Sequence, residues 1–199
     1  MSQSIVSNGY WEIEMAQWLN GLIRKIEPDT LYLDIGANLG IHGLHAAKAN
    51  CTVWIVEPQE LNLHKVSDEY KQINLPKDIQ TKILFSPQII HSSILSGIHD
   101  KMTIVKNAVD GVRHTMKLWV NKNNNGGSQV RQLGLSKDPS QYQAGEVVQT
   151  VLLSDIFEEA FRQSQPKNVI IKADIETFEC RAFLGSPQGE NHFTNILVQ

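Results

Sequence analysis

Two short segments carry residue types and spacing that suit a nucleoside site. In Leu31-Tyr32-Leu33-Asp34-Ile35-Gly36-Ala37-Asn38-Leu39-Gly40 an apolar run delivers one carboxylate, Asp34, then breaks into a turn with glycines at 36 and 40 around Asn38. Glycine takes backbone conformations closed to other residues and lets a ligand come close to the main chain. A helix starting directly behind such a turn offers unsatisfied N–H groups to a polar or anionic ligand group. Asp34 adds a nearby anion, which suits a ligand bearing an ammonium or sulfonium charge. The second segment, Val53-Trp54-Ile55-Val56-Glu57-Pro58, ends on an acid. A carboxylate about 20 residues past the first strand, at the end of the second, can accept both ribose hydroxyls of an adenosine-containing ligand.

The elements that must position these groups follow from periodicity. Residues 31–35 read as a buried strand, Ile41 to about Ala49 as a helix, Thr52 to Val56 as a second strand, and Leu61 to Ile73 as a helix ending before Pro76. Asn74 to Asp100 reads as loop plus a short helix. Met102 to Val105 is a third strand, running out through Asn107 and Ala108. Met116 to Val120 and Glu146 to Leu153 form an antiparallel pair, an inserted hairpin over about 115–153 around the Asn- and Gly-rich loop Asn121–Ser128. Ser154 or Asp155 is expected to cap a helix from Ile156 to Gln163. Val169 to Lys172 is the fourth core strand, Phe178 to Leu184 a helix stopped by Gly185, and Asn195 to Val198 the fifth. Ahead of all this, Trp11, Met15, Trp18, Leu19, Leu22 and Ile26 recur at helical spacing, giving a packing helix over about 10–27 that Pro28 stops. Strands alternating with helices predict one α/β domain over 1–199, a Rossmann-like doubly wound, mostly parallel sheet with helices on both faces.

Composition narrows the function. The 199 residues are 41% hydrophobic and 20% charged, an ordinary globular mixture, with net charge −3. No basic stripe exists, which argues against nucleic acid as partner. No apolar run reaches the ~20 residues of a membrane span, and the N-terminus lacks a signal-peptide pattern, so no membrane partner is expected and a cytoplasmic location is favoured. Cys51 and Cys180 make neither a disulfide framework nor zinc spacing; both are expected to be buried free thiols, which favours a reducing compartment.

A dinucleotide and S-adenosylmethionine compete for the glycine turn. The dinucleotide fingerprint G-x-G-x-x-G is broken, because Asn38 holds the second glycine position and Ile41 the third. The D-x-G-x-x-x-G form resembles the first motif of class I methyltransferases. The resemblance extends along about residues 8–199. DIGANLG, IVEPQ with Asn62 after it, VKNAVD, NNGGSQV, VLLSDIF and IKADIETFECRAFLG are similar in order and spacing to the FkbM-type methyltransferase family. The family's D-v-E-G-x-E pattern falls on Asp174, Glu176 and Glu179, with Thr177 where glycine is usual.

The resemblance implies a class I methyltransferase fold, S-adenosylmethionine as methyl donor, and a small-molecule or glycan hydroxyl as acceptor, with N-methylation as a variant. It places Asp34, Gly36, Asn38 and Gly40 around the methionine part, Glu57 on the ribose, and Asn107 and Ala108 beside the adenine. Asp174 and Glu176 come next to the transferring methyl. A hydroxyl acceptor needs a base; Asp174 or Glu176 can serve, with Lys172 on the alternate face of the strand. The competing reading of Glu176 is a helix N-terminal charge, and of Asp174 a structural cap or a cofactor ligand. No metal site is expected. His42 and His45 lack a third ligand, and a cation gathered by Asp155, Asp174 and Glu176 is disfavoured. Gln59 and Asn62 are expected to cap or face solvent, and Gly126-Gly127 to form a turn, or by the resemblance a lip over the acceptor.

Such a sheet has seven strands, and this sequence accounts for five, so the final antiparallel pair is expected to be missing. An exposed fifth strand would favour a homodimer or reduced stability. The same shortfall, with Thr177, supports the alternative of a non-catalytic methyltransferase-like binding module.

Overall fold

The computed structural model describes residues 17–19, 21–22, 29–59, 87–123, 127–185 and 195–198. The expected helix over Leu61–Ile73, Asn62, Gly126 and most of the helix over 10–27 lie outside the described residues.

The main sheet is built from β1 (Thr30–Ile35), β2 (Thr52–Val56), β3 (Met102–Val105), β8 (Asn168–Ala173) and β9 (Asn195–Val198). Its order is β3-β2-β1-β8-β9, and every neighbouring pair is parallel. Strands buried on both faces read as continuous apolar runs, and β1 is the clearest case, with all six residues buried. Its side chains alternate between two cores. Leu31, Leu33 and Ile35 join Trp54, Val56, Val169 and Ile171 on one face, under α3 (Leu153–Ser164) and α4 (Glu179–Leu184). Tyr32 joins Val53, Ile55 and Ile170 on the other, under α1 (Ile41–Lys48) and Ile89 of α2 (Pro87–Leu95). Helices thus cover both faces, and the domain has the Rossmann-like, doubly wound architecture. Among the described residues no helix is long and apolar enough to cross a membrane.

A second sheet of four strands stands between β3 and β8 in the chain, in the order β4-β7-β5-β6. It contains β4 (Ala108–Val109), β5 (Thr115–Asn121), β6 (Gln129–Gln132) and β7 (Tyr142–Val151). β5 pairs antiparallel with both β6 and β7, and β4 pairs parallel with the end of β7. The expected two-stranded hairpin is therefore a three-stranded antiparallel sheet with β5 in the middle and a fourth short strand, β4, beside β7. β6 escapes periodicity because Val130 is its one apolar residue, and that residue packs with Met116, Leu118 and Val148.

Three other expectations are corrected. The third helix begins at Leu153, ahead of Ser154 and Asp155. Asp155 still serves its N-terminus, since the Leu152 N–H donates to Asp155 Oδ2 at 3.0 Å. Cys51 is buried, and burial pushes its thiol up to about 11, whereas Cys180 is exposed on the first turn of α4. Lys172 is discussed below.

Candidate functional site

The chain runs from β1 outward through β2 to β3, then returns to β8 on the other side of β1. Ligands in open α/β sheets bind at such a reversal, beyond the carboxyl ends of the strands. The cleft lies there, and each core strand from β1 to β3, with β8, sends its following residues into it.

After β1 the main chain takes left-handed φ at alternate residues, Gly36 (72°), Asn38 (51°) and Gly40 (68°). Gly36 is required by contact as well as by φ: a Cβ there would lie 1.8 Å from the Asp174 carbonyl oxygen. Asn tolerates the left-handed region better than other side chains, and the turn aims the Asn38 N–H at Glu57 Oε2, 2.9 Å away. The Gln59 N–H donates to the other oxygen, Oε1, at 2.8 Å. Glu57 is thus fixed by two main-chain donors at the cleft wall. Burial pushes its carboxyl up to about 7, against the opposing pull of those two donors and of the Lys172 charge. A carboxylate has about four lone-pair positions, so two remain for ligand hydroxyls.

Asp34 and Gly40 do not line the cleft. Asp34 is fully buried; its Oδ2 accepts the Gly43 N–H at 2.9 Å and so caps the first turn of α1. Lys172 Nζ lies 3.5 Å from its Oδ1. A Cβ on Gly40 would lie 2.8 Å from Ile89 Cγ1, so this glycine serves the packing of α2. Asn107 and Ala108 do line the cleft, and Asn107 Nδ2 donates to the Gln149 carbonyl at 3.2 Å, tying the end of β3 to β7.

Beyond β8 the cleft receives Asp174, Ile175 and Glu176. Lys172 comes with them, which corrects its expected place on the alternate face. Residues two apart on a strand share a face, and Lys172 Nζ donates to the Gly36 carbonyl at 2.9 Å while standing 3.9 Å from Asp174 Oδ2. Glu176 and Thr177 hold φ of 56° and 83°, the positive pair of a type I′ turn. The Ile175 N–H donates to Glu179 Oε1 at 2.7 Å, so the third acid of the motif braces this turn and does not line the cleft. Burial, then the neighbouring Asp174 charge, raises the Glu176 carboxyl above the ordinary range.

The second sheet forms the facing wall with Leu118, Ser128, Gln129 and Val130. Gln129 Nε2 donates to Glu176 Oε2 at 3.3 Å, across from one sheet to the other. Sequence reasoning missed Gln129 as a site residue, and it expected Gln59 to cap or face solvent, whereas Gln59 is buried, lines the cleft and holds Glu57 by its main-chain N–H. A backbone donor leaves no side-chain signal. His42 lines the cleft with Ile41. Asp155 is engaged by the Arg113 guanidinium through both carboxylate oxygens, and among the described residues no three His, Cys, Asp or Glu side chains converge as a metal site would require.

The fold and site together define a Rossmann-like domain with an acid-lined cleft at the carboxyl ends of its core strands. No family model matches the chain, and no curated protein does. Among solved structures it is similar to a SAM-dependent methyltransferase from Agrobacterium tumefaciens, at 10% identity and a TM-score of 0.36, over 81% of this chain and 31% of the other. The chain thus spans about a third of the length of that structure. The fold is defined by strand order and the two-faced helix packing, not by this likeness.

Proposed function

We propose that the cleft binds S-adenosylmethionine and that the chain transfers its methyl group to a hydroxyl of a small molecule or sugar, as the FkbM-type resemblance implies. The observation that carries this reading is Glu57, pinned by the Asn38 and Gln59 N–H groups with lone pairs left for a ribose, in one cleft with Asp174 and Glu176. The residues present fit such a ligand. Val56, Val109 and Leu118 give apolar surface for a base ring, and Asp174 and Glu176 give negative charge for a sulfonium and ammonium. Asp34 acts through α1 and Lys172, not by contact.

When bound, the cofactor supplies an activated methyl group on a positive sulfur. The chain then has two tasks, to align the acceptor oxygen and to take its proton. Glu176 is the base: its carboxyl is raised toward the working range, half-buried, and steered by Gln129. Asp174, paired more closely with Lys172, supplies charge and orientation. With an acceptor hydroxyl aligned against the bound methyl donor, Glu176 takes the hydroxyl proton while Gln129 holds that carboxylate in place.

The test is calorimetric titration with S-adenosylhomocysteine, followed by transfer of labelled methyl to a panel of hydroxylated acceptors. Replacing Glu57 with Ala should weaken binding by roughly 100-fold or more, the worth of two charge-assisted hydrogen bonds at about 1.5–3 kcal/mol each. Unchanged affinity in that variant would remove the ribose role. Tight binding with no transfer to any acceptor would favour the non-catalytic module, a reading that Thr177, standing where the family has glycine, also supports.

A further inference from the structure

We infer that Lys137, which does not line the cleft, is a positioning residue that orients the Gln129 amide so that its NH₂ faces Glu176 and holds that carboxylate as an acceptor. This rests on the reading of Glu176 as the base.

A glutamine side chain is ambivalent. Its oxygen accepts, its nitrogen donates, and a rotation of the amide exchanges them. An ammonium can only donate. Lys137 Nζ bonds Gln129 Oε1, and this contact removes the ambiguity: the amide NH₂ must point the other way, where it meets Glu176 Oε2. The partner of an NH₂ donor is an acceptor oxygen, so the relay favours the ionised carboxylate. Lys137 is itself placed, with Nζ 4.4 Å from the centre of the Tyr142 ring at the start of β7, a cation–π contact that limits where its flexible stem can carry the charge. The relay therefore runs from Tyr142 through Lys137 and Gln129 to Glu176, wholly on the second sheet until its last step.

The other charged groups around Glu176 oppose ionisation. Asp174, in the turn after β8, and Glu179, on α4, raise its carboxyl, and burial does so most. Lys137, on the loop between β6 and β7, and the Gln129 hydrogen bond from β6 lower it. Lys172 is occupied by Asp34 and the Gly36 carbonyl. The second sheet thus supplies the two influences that keep a base deprotonated in a nest of carboxylates.

The experiment follows the Glu176 side-chain carboxyl by ¹³C NMR titration, assigned with Glu176→Gln, in the wild type and in Lys137→Met, Lys137→Arg, Gln129→Leu and the Lys137→Met/Gln129→Leu double variant. Removing Lys137 or Gln129 should move the midpoint upward, and Lys137→Arg should restore it. In the Gln129→Leu background the shift from Lys137→Met should shrink to a minority of its wild-type size, because the relay is already cut. Equal shifts in both backgrounds would reduce Lys137 to a through-space charge, and no shift would remove it; either result overturns the inference. Affinity for S-adenosylhomocysteine, measured on the wild type and on Lys137→Arg, should be unchanged, because Lys137 does not line the cleft and the arginine keeps its charge. If even the wild type fails to bind it, the cofactor reading falls, while the titrations still decide the relay.

Discussion

Glu57 turns the geometry of one side chain into a pH dependence. Its carboxyl titrates near 7 in the folded protein, above the 4.5 of an ordinary glutamate. The folded state therefore holds more protons than the unfolded chain between those values, and ∂ΔG/∂pH is negative there. The stability contributed by protonated Glu57 is full below about pH 4.5 and is lost as pH rises through about 7. A ligand whose hydroxyls donate to Glu57 demands the opposite, the ionised form. Affinity for S-adenosylhomocysteine should then rise close to tenfold per unit as pH increases from about 5.5 to 7 and level off above it, by proton linkage. Calorimetry across that range checks this, with Glu57→Gln as the control that should flatten the profile; a flat wild-type profile would mean that no ligand donor reaches the carboxylate. Lys172 poses the complementary problem of a buried charge. Its ammonium sits between fully buried Asp34 and the Gly36 carbonyl. Lys172→Met leaves Asp34 without its counter-charge, a loss of about 3 kcal/mol or more for a broken buried pair. Urea denaturation should register that loss, and Asp34→Asn added to Lys172→Met should recover much of it. An additive double variant would show that the two groups do not act as a pair.

Among the described elements, the turn from β8 into α4 is where two consecutive non-glycine residues take left-handed backbone. Glu176 and Thr177 both hold positive φ, where an L-residue pays roughly 1–2 kcal/mol and a β-branched one is least at home. Glycine at 177 would remove that cost, partly offset by about 0.5–1 kcal/mol of extra chain entropy in the unfolded state. Thr177→Gly should therefore stabilise the protein by about 1 kcal/mol, and Thr177→Val should bring no gain; thermal melts of the pair decide it, and a destabilised glycine variant would mean that the threonine makes a contact worth more than its strain. Strain of this kind gathers where a side chain must be presented to a site, and Glu176 is the residue so presented. α3 shows how an element boundary can mislead. An Asp just ahead of an apolar periodic run reads as a cap, yet Asp155 lies inside the first turn and reaches back to the Leu152 N–H. The carboxylate does its expected job from a different position.

Over the whole molecule, legibility divides between local and non-local structure. The doubly wound, mostly parallel character of the main sheet could be read because each parallel strand is an apolar run closed by its own punctuation, Gly36 after β1 and Glu57-Pro58 after β2, and because alternating strands and helices leave few ways to wind a sheet. Glu57 was reachable by the same logic, since it closes β2, whereas Asn107, Asp174 and Glu176 came from the family resemblance; all four follow core strands and line the cleft. The second sheet was half-hidden. β6 is held by its partner β5 and by one buried valine, information that no window of local sequence contains. Gln129, Lys137 and the facing wall of the cleft went with it. What joins the two sheets was equally silent in the sequence. The Asp110 carboxylate, buried just past β4, accepts from His114 Nε2 at 2.8 Å and from Arg181 Nη2 on α4 at 2.7 Å. Beside it Gly111 and Gly185 meet backbone to backbone: a Cβ on Gly185 would stand 2.1 Å from Gly111 Cα. Neither glycine has positive φ, so their freedom is not the reason; the space is. Alanine at 185 must push the loop after β4 away from the end of α4, and since backbone cannot yield as a side-chain tip can, the cost should reach the upper end of overpacking, about 3 kcal/mol. For a domain of this size that lowers Tm by roughly 6–12 °C. Because the contact pins the loop leading into the second sheet to a helix of the first, the Gly185→Ala protein should also lose protection of β5 and β7 amides in hydrogen exchange ahead of β1 and β2. Equal loss in both sheets would mean that they unfold as one unit whatever this contact does, and a wild-type melting temperature would mean that the close approach is not a constraint.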